Sequence, residues 1–384
     1  MRHDLIVVGG GPVGASLARA LPDFSVALVG EPPRQGAPVE GVFDSRVYAL
    51  SPGNVAFLEA LGVWPQLAPE RLAPVHAMSI YGDDGRAHLE FDALEGGVGE
   101  LAWIVEDSAL QRALWSDLEG IEVFRGVACE RLVVDSTCAT LVLQDGAALE
   151  AKLVVGADGA HSFVRSEAGI GAKESDYGQA AVVANFHCRE PHRHTARQWF
   201  QARGAVLALL PLPGDQVSMV WSLPIDEAQR VRALDPQGLA DEVNRASHKS
   251  LGALTAASPA RSYPLRRLSA RSLVAPRIAL AGDAAHVIHP LAGQGLNLGL
   301  QDSRALVETL AGREPGRDPG DYRLLRRYER SRAEPILAMD GLVHGLFRLY
   351  AAESGAVSRL RNAGLNLTGR LPVVKNILMR RAMS

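Results

Sequence analysis

A chain of 384 residues is longer than one ordinary domain, and 47% hydrophobic with 22% charged residues is the composition of a soluble globular protein with an ample core. A formal net charge of −3 gives no whole-chain attraction to nucleic acid, and Cys129, Cys138 and Cys188 lack the number and spacing of a disulfide framework or a zinc site. No apolar run approaches the ~18 residues of a spanning helix and a strand pattern begins almost at once, so neither a membrane span nor a signal peptide is expected, and a cytoplasmic setting with reduced thiols is.

The chain opens on Asp4 to Val8, a continuous apolar run of the kind that forms a central parallel strand buried on both faces. Gly9, Gly11 and Gly14 follow in GxGxxG spacing, with Pro12 and Val13 between them, and a helical run from Ala15 to Leu21 comes next. The first glycine permits the turn, the second admits a pyrophosphate to the backbone, and the third lets helix and strand pack closely. This arrangement suits FAD or a nicotinamide dinucleotide equally. After a second strand, Ser25 to Val29, an acidic residue is expected at the ribose, but Gly30 stands there and Glu31 one place later. The expectation is that unusual backbone angles at Gly30 re-aim Glu31 toward the ribose.

A Pro/Gly-rich loop, Pro32 to Pro38, precedes Arg46, and Ser51 with Pro52 predicts a capped helix ending near Gly62. Residues 74–91 alternate around the Gly82 to Gly85 turn and predict a hairpin. Val105 to Leu118 reads as a helix capped by Asp107 or Ser108, and Val123 to Glu150 as a three-stranded meander over one face of the parallel sheet. Leu153 to Gly156 is a further buried strand, ending at Asp158-Gly159 with Ser162 and Arg165 beyond. Gly178 to His187, Arg197 to Phe200, Ala205 to Leu210 and Gln216 to Leu223 predict an antiparallel sheet, followed by two helical pieces between Asp226 and His248 and a strand from Ser262 to Leu268. His187, His192 and His194 read as surface histidines, because no carboxylate or cysteine completes a ligand set.

Arg277 to Asp302 joins four unlike elements without a spacer. Ile278 to Ala281 is a short buried strand, Gly282-Asp283 a turn carrying a carboxylate, His289-Pro290 the end of a loop, and Gly293-Gln294-Gly295 the opening of a helix through about Leu310. Glycines at a helix start expose free N–H groups and the positive end of the dipole to a flat or anionic ligand.

The Gly9 to Gly14 turn, the Asp158-Gly-x-x-Ser162-x-x-Arg165 run and the Gly282 to Asn297 stretch together resemble the FAD-dependent aromatic hydroxylases of the para-hydroxybenzoate hydroxylase type, and most closely their ubiquinone-biosynthesis branch. The resemblance implies an α/β fold with α+β elements. A Rossmann-like FAD-binding domain with a parallel sheet and β-meander would take residues 1–73, 101–171 and 272–340, an antiparallel-sheet substrate domain 74–100 and 172–271, and a basic helical segment 341–384. It implies FAD contacts at Gly9, Gly11, Pro12, Val13, Gly14, Glu31, Arg46, Val127 (beside the adenine), Asp158, Asp283, Pro290, Gly293, Gln294, Gly295, Leu296 and Asn297. It further implies that NAD(P)H visits as co-substrate and that a flavin 4a-hydroperoxide, formed with O2, hydroxylates the ring of a polyprenylated phenol. Pro290 would line the oxygen pocket, and His289 is the residue, with His286 beside it, considered for proton transfer. Between Asp340 and Ser384, seven Lys or Arg residues against two carboxylates, interleaved with leucines and valines, suit either a membrane-surface or partner-binding element or a solvated basic helix packed on the core. The resemblance favours the first, with a membrane-bound lipid substrate and a multi-enzyme ubiquinone-biosynthesis complex. A lipid reductase or oxidase, and a scaffold that keeps the fold without the chemistry, stay open as alternatives.

Overall fold

The computed structural model describes residues 2–33, 39–84, 87–290, 293–352 and 361–363. The opening run forms strand Arg2–Val8, whose Leu5, Ile6 and Val7 are wholly buried. It pairs in parallel with Val26–Val29 on one side and Ala148–Gly156 on the other, while Ile278–Leu280 and Ile121–Phe124 extend the same sheet outward. With helices packed on it, such a sheet buries both faces, which is why these strands read as unbroken apolar runs.

Two expectations change here. The expected three-stranded meander is present as Cys129–Val134, Ala139–Leu143 and the start of Ala148–Gly156, but it begins at Cys129, because Val123 and Phe124 belong to Ile121–Phe124, which joins the parallel sheet beside Val26–Val29. Its last strand and the separately read Leu153 strand are one element, Ala148–Gly156, antiparallel to Ala139–Leu143 at its start and parallel to Arg2–Val8 along its length. Likewise Val105 and Glu106 belong to strand Ala102–Glu106, and the helix spans Asp107–Trp115. Neither Asp107 nor Ser108 caps it. Asp44, from a distant loop, accepts the Ser108 N–H at 2.8 Å, and Asp107 is taken by the Tyr48 hydroxyl at 2.7 Å.

The second sheet is built around the 17-residue strand Ala172–Cys188, flanked by Arg261–Ala270 and Gln216–Pro224, and continues through Val206–Pro211 and Thr195–Phe200. Its pairings are antiparallel as expected except one, since Thr195–Phe200 runs parallel to Ala77–Tyr81 of the 77–92 hairpin. Helices Ile225–Arg232 and Pro236–Ala246 cover one face, over Val182, Phe186, Leu207, Met219 and Trp221. A three-stranded sheet, Val47–Leu50 with Ala102–Glu106 and Ala73–Val75, lies against the other face through Ile104, Ala196 and Leu212. The last long helix among the described residues is Tyr322–Ala351, capped by Asp321. Of the basic stretch beyond it only Arg361 to Ala363 are described, so the expected 341–384 segment lies largely outside the described residues.

Asp302, on helix Gln294–Ala311, joins these parts and is wholly buried. One carboxylate oxygen accepts the Gly282 N–H at 2.9 Å and His286 Nε2 at 2.6 Å, and the other accepts Arg332 Nε at 2.7 Å. Burial alone would raise its pKa, but the charges and hydrogen bonds of His286 and Arg332 outweigh burial and hold it below the ordinary carboxylate value. Arg332 also reaches Leu298 O and Gln301, and Tyr328, one turn earlier, donates to Leu280 O at 2.7 Å. The terminal helix is thereby tied to the strand and turn that precede the site.

Because breaking a buried pair leaves an uncompensated charge, Asp302→Asn is expected to cost about 3–5 kcal/mol in urea unfolding. A depressed folded-state pKa stabilises above the unfolded value, so the gap to wild type should be full above about pH 4 and shrink as pH falls through the folded pKa.

Candidate flavin and substrate site

At the carboxyl ends of the parallel strands an open groove of about 780 Å³ is lined by Gly9, Gly10, Gly11, Glu31, Val127, Asp158 and Gly159 among others. The glycines divide their tasks by what surrounds them. A Cβ on Gly9 would strike Ala157 O at 2.1 Å and one on Gly14 would strike Gly9 O at 1.9 Å, so these two close the strand-to-helix turn. A Cβ on Gly11 meets nothing within 4 Å, so that position faces open groove. Gly11 is the N-cap of helix Pro12–Arg19, whose first turn carries no acidic residue. The groove therefore has the free amides and dipole end that a pyrophosphate requires.

Glu31 reaches the groove, and its carboxylate accepts the Gly126 N–H at 2.7 Å. The expected reason was wrong, however. Gly30 does not adopt a left-handed angle; it is needed because a Cβ there would lie 2.4 Å from Gly10 N. Val127 lines the same groove. Asp158 lines it too, but its oxygens already accept the Ser162 hydroxyl at 2.5 Å and the Val164 N–H at 3.1 Å. Arg165 is spent internally, donating to Ala284 O at 2.9 Å and Ala160 O at 2.8 Å, which ties the second fingerprint to the Gly282 turn.

That turn presents Asp283, which is exposed, whereas its neighbours Gly282 and Ala284 are buried. Desolvation on the side turned to the protein raises its pKa against the weaker opposing pulls of His286 and Arg46. Arg46 is likewise exposed, and the acidic groups of Tyr48, Asp107, Asp283 and Tyr263 outweigh desolvation and raise its pKa. An arginine and a carboxylate from distant segments thus face one space. Beyond Pro290, whose carbonyl accepts the Gly293 N–H at 3.1 Å, Gly293 sits at φ 63° as N-cap of helix Gln294–Ala311. A Cβ on Gly295 meets nothing, leaving the first turn open. Leu296 is half-buried in the core beside Leu50 and Leu58, and Gln294 is half-buried above it. Asn297 faces inward: it is fully buried, accepts the Ser51 N–H at 3.0 Å and the Asn54 amide at 2.8 Å, and donates to Ala49 O at 2.8 Å. It fixes the helix on its neighbours rather than presenting a side chain to a ligand.

The face of the second sheet opposite helices Ile225–Arg232 and Pro236–Ala246, covered in part by the three-stranded sheet, adjoins this space. Gln179, Ala181, Val183 and Asn185 alternate onto that face of the long strand. Ala208 and Val220 occupy it on interior strands yet remain half-buried, which marks a hollow, while half-buried Leu210 packs against the cluster of Ile104, Ala196 and Leu212 at its side. Tyr263, opposite Ala181, is 41% exposed at its edge. His289 is wholly buried at the seam, with Nε2 3.1 Å from Gln179 Oε1 and Nδ1 without a partner. Burial lowers its pKa to about 4, so it is neutral near pH 7. His286, by contrast, is bound to Asp302. The second fingerprint, Glu31 and the Gly282 to Gly295 residues were legible in sequence; Gln179, Tyr263, Asp302 and Arg332 were not, because their roles arise from pairings far apart in the chain. Among the described residues no cluster of His, Cys, Asp and Glu could hold a metal; His187 pairs with Asp215 at 3.2 Å and His192 is buried against Gly214 O.

A parallel sheet with a glycine turn, an open groove at its strand ends and an adjoining sheet-floored hollow define a dinucleotide-dependent enzyme of the flavoprotein class. Residues 2–339 match the family model described as FAD binding domain, and the chain belongs to that family, within its FAD-dependent monooxygenases. It is 34% identical to the ubiquinone hydroxylase UbiL of Rhodospirillum rubrum over 99% of this chain and 89% of that protein. It is also 34% identical to the 3-demethoxyubiquinol 3-hydroxylase of Escherichia coli, over 99% and 98%. The crystal structure of PqsL, a probable FAD-dependent monooxygenase from Pseudomonas aeruginosa, shares the fold with a TM-score of 0.78 at 24% identity, covering 95% of this chain and 99% of that one.

The contrast between glycines is testable. Gly11→Ala should leave the melting temperature of the FAD-free protein unchanged and weaken FAD binding at least ~10-fold in a fluorescence titration. Gly14→Ala should instead unfold or strongly destabilise the protein, because backbone lies where its Cβ would be.

Proposed function

We propose that this protein hydroxylates the aromatic ring of a polyprenylated phenol on the route to ubiquinone, with FAD, NAD(P)H and O2. The observation that carries the reading is the junction of two surfaces: an open groove with exposed helix-start amides, and an apolar hollow floored by Ala181, Val183, Ala208 and Val220. Identity spread over the whole chain to two hydroxylases named for ubiquinone chemistry supports the substrate class.

In this reading Gly9, Gly11, Pro12, Val13 and Gly14 cradle the pyrophosphate, Glu31 and Val127 hold the adenosine, and Arg46, Asp158 and Asp283 hold the phosphates and ribityl chain. Gly293, Gln294, Gly295, Leu296 and Asn297 form the helix start beneath the ring, where the dipole favours negative charge. Bound FAD, once reduced by NAD(P)H, supplies the oxygen-transfer chemistry. The chain supplies position, charge and exclusion of water. Pro290 lines the pocket where oxygen reacts. We assign His289, neutral and with Nδ1 unmatched, to proton transfer at the flavin end of the seam. Among the described residues no helix is long and apolar enough to cross a membrane, and the basic, leucine-bearing C-terminal sequence supports peripheral attachment to the inner face of the membrane and to a multi-enzyme complex.

With FAD bound, anaerobic NAD(P)H should bleach the flavin, and labelled O2 with a short-chain prenylphenol should place the label in the product ring. Flavin turnover without label in product would instead identify a reductase or oxidase, and failure to bind FAD a scaffold. His289→Ala should slow single-turnover hydroxylation on the order of 10²-fold while leaving flavin reduction unchanged; an unchanged rate removes His289 from the chemistry.

A further inference from the structure

The floor of the hollow ends in two polar side chains that the fold leaves unmatched. Asn185 and Ser218 are directly opposite one another on adjacent antiparallel strands, and so share a face with the next pair, Val183 and Val220. Asn185 is 1% exposed and Ser218 0%. Asn185 Oδ1 and Ser218 Oγ are buried, and neither has a hydrogen-bond partner. Such atoms are uncommon in a folded protein and call for a cause.

The Asn185 amide cannot turn to relieve this. Its nitrogen donates to Phe43 O at 2.9 Å and Asp44 O at 3.0 Å, which consumes both N–H bonds and directs the oxygen away from that loop. Its backbone is equally fixed, since its N–H donates to Ser258 Oγ at 2.9 Å and its carbonyl accepts the Ala257 N–H at 2.8 Å. What remains is an oriented acceptor beside a hydroxyl that can donate or accept. Half-buried Val220, two residues from Ser218 on the same face, leads into this notch, and Leu210, which pairs with Ser218, forms its side by packing on the cluster of Ile104, Ala196 and Leu212.

We infer that Asn185 and Ser218 form the notch that receives the ring hydroxyl of the aromatic substrate, Asn185 Oδ1 accepting its O–H and Ser218 Oγ–H donating to its oxygen. The inference rests on the phenol reading above and adds the residues that select a free hydroxyl over an ether. An ether oxygen brings no hydrogen, so it would leave Asn185 Oδ1 unmatched in the complex, the kind of loss that discriminates strongly. Because Asn185 also holds Phe43 and Asp44, two residues before Arg46, occupancy of the notch is felt directly beside the flavin space.

Ser218→Ala separates a binding role from a structural one, since deleting an unmatched buried hydroxyl should not harm the folded protein. The FAD-loaded wild type and variant are compared in equilibrium dialysis with a phenol bearing a two-isoprene tail at its 2-position and with the matching methyl ether, alongside thermal unfolding. Expected are a wild-type preference for phenol of about 10-fold, its fall to about 2-fold or less in the variant, and a melting temperature unchanged or raised by about 2 °C. An unchanged preference in the variant overturns the notch, as would a lowered melting temperature with equal losses for both ligands, which would mark Ser218 as structural. Equal binding of phenol and ether by a wild type that still hydroxylates the phenol overturns the notch and leaves the function standing. No binding of the phenol by wild type removes both.

Discussion

A carboxylate sealed from water must be answered by partners on every side, and Asp302 is the place where this chain meets that demand. Its partners come from the turn after strand Ile278–Leu280, from the short strand His286–Val287 and from the terminal helix. Those same partners fix the Gly282-Asp283 turn, the start of helix Gln294–Ala311 and the loop that carries His289 and Pro290. The geometry of the flavin surface is therefore set from behind, by a charge that never touches a ligand. Strand His286–Val287 also pairs with Arg261–Ala270, so the network fixes the distance between the two sheets as well.

On that frame two kinds of surface are held together. The dinucleotide groove is made of backbone: glycines that cannot be enlarged, amides at helix starts, and carboxylates whose oxygens are partly used to hold their own turns. The hollow is made of side chains, small and apolar in its middle and polar at its ends. Gln179 with His289 marks one end of the long strand's inner face and Asn185 with Ser218 lies six residues along, about 20 Å away at the rise of a strand. A flat ring with an apolar tail meets matching chemistry along such a floor. Arg46 and Asp283, at opposite charge across the shared space, give it a polarised wall.

Much of this was legible in residue order. Leu5 to Val7, the glycine turn and the Gly293 to Gly295 helix start are local: their conformations follow from neighbours a few residues away. The hairpin about Gly82 and the strands from Gly178 to Leu223 follow from alternation in the same way. The errors were of another kind. Val123 and Phe124 were read into the first strand of the meander, but they belong to Ile121–Phe124, because a strand's partner is chosen by the sheet edge it reaches. Asp107 and Ser108 looked like caps, yet Asp44, 64 residues before Ser108, supplies the cap. Gly30 looked like a hinge, and is instead a spacer demanded by Gly10 across the turn.

The sequence by itself thus determined the elements, the dinucleotide turn and the chemical class, because each depends on short-range sterics, hydrogen bonding and periodicity. The tertiary structure alone decided which side chains face the ligand space and which are consumed in holding it. Asn297, Asp158 and Arg165 carry motif positions but spend much or all of their hydrogen-bonding capacity on the fold, whereas Gln179, Asn185 and Ser218 carry no motif and line the hollow. Whether a polar atom is matched or vacant depends on partners brought from far along the chain, and no local pattern encodes that.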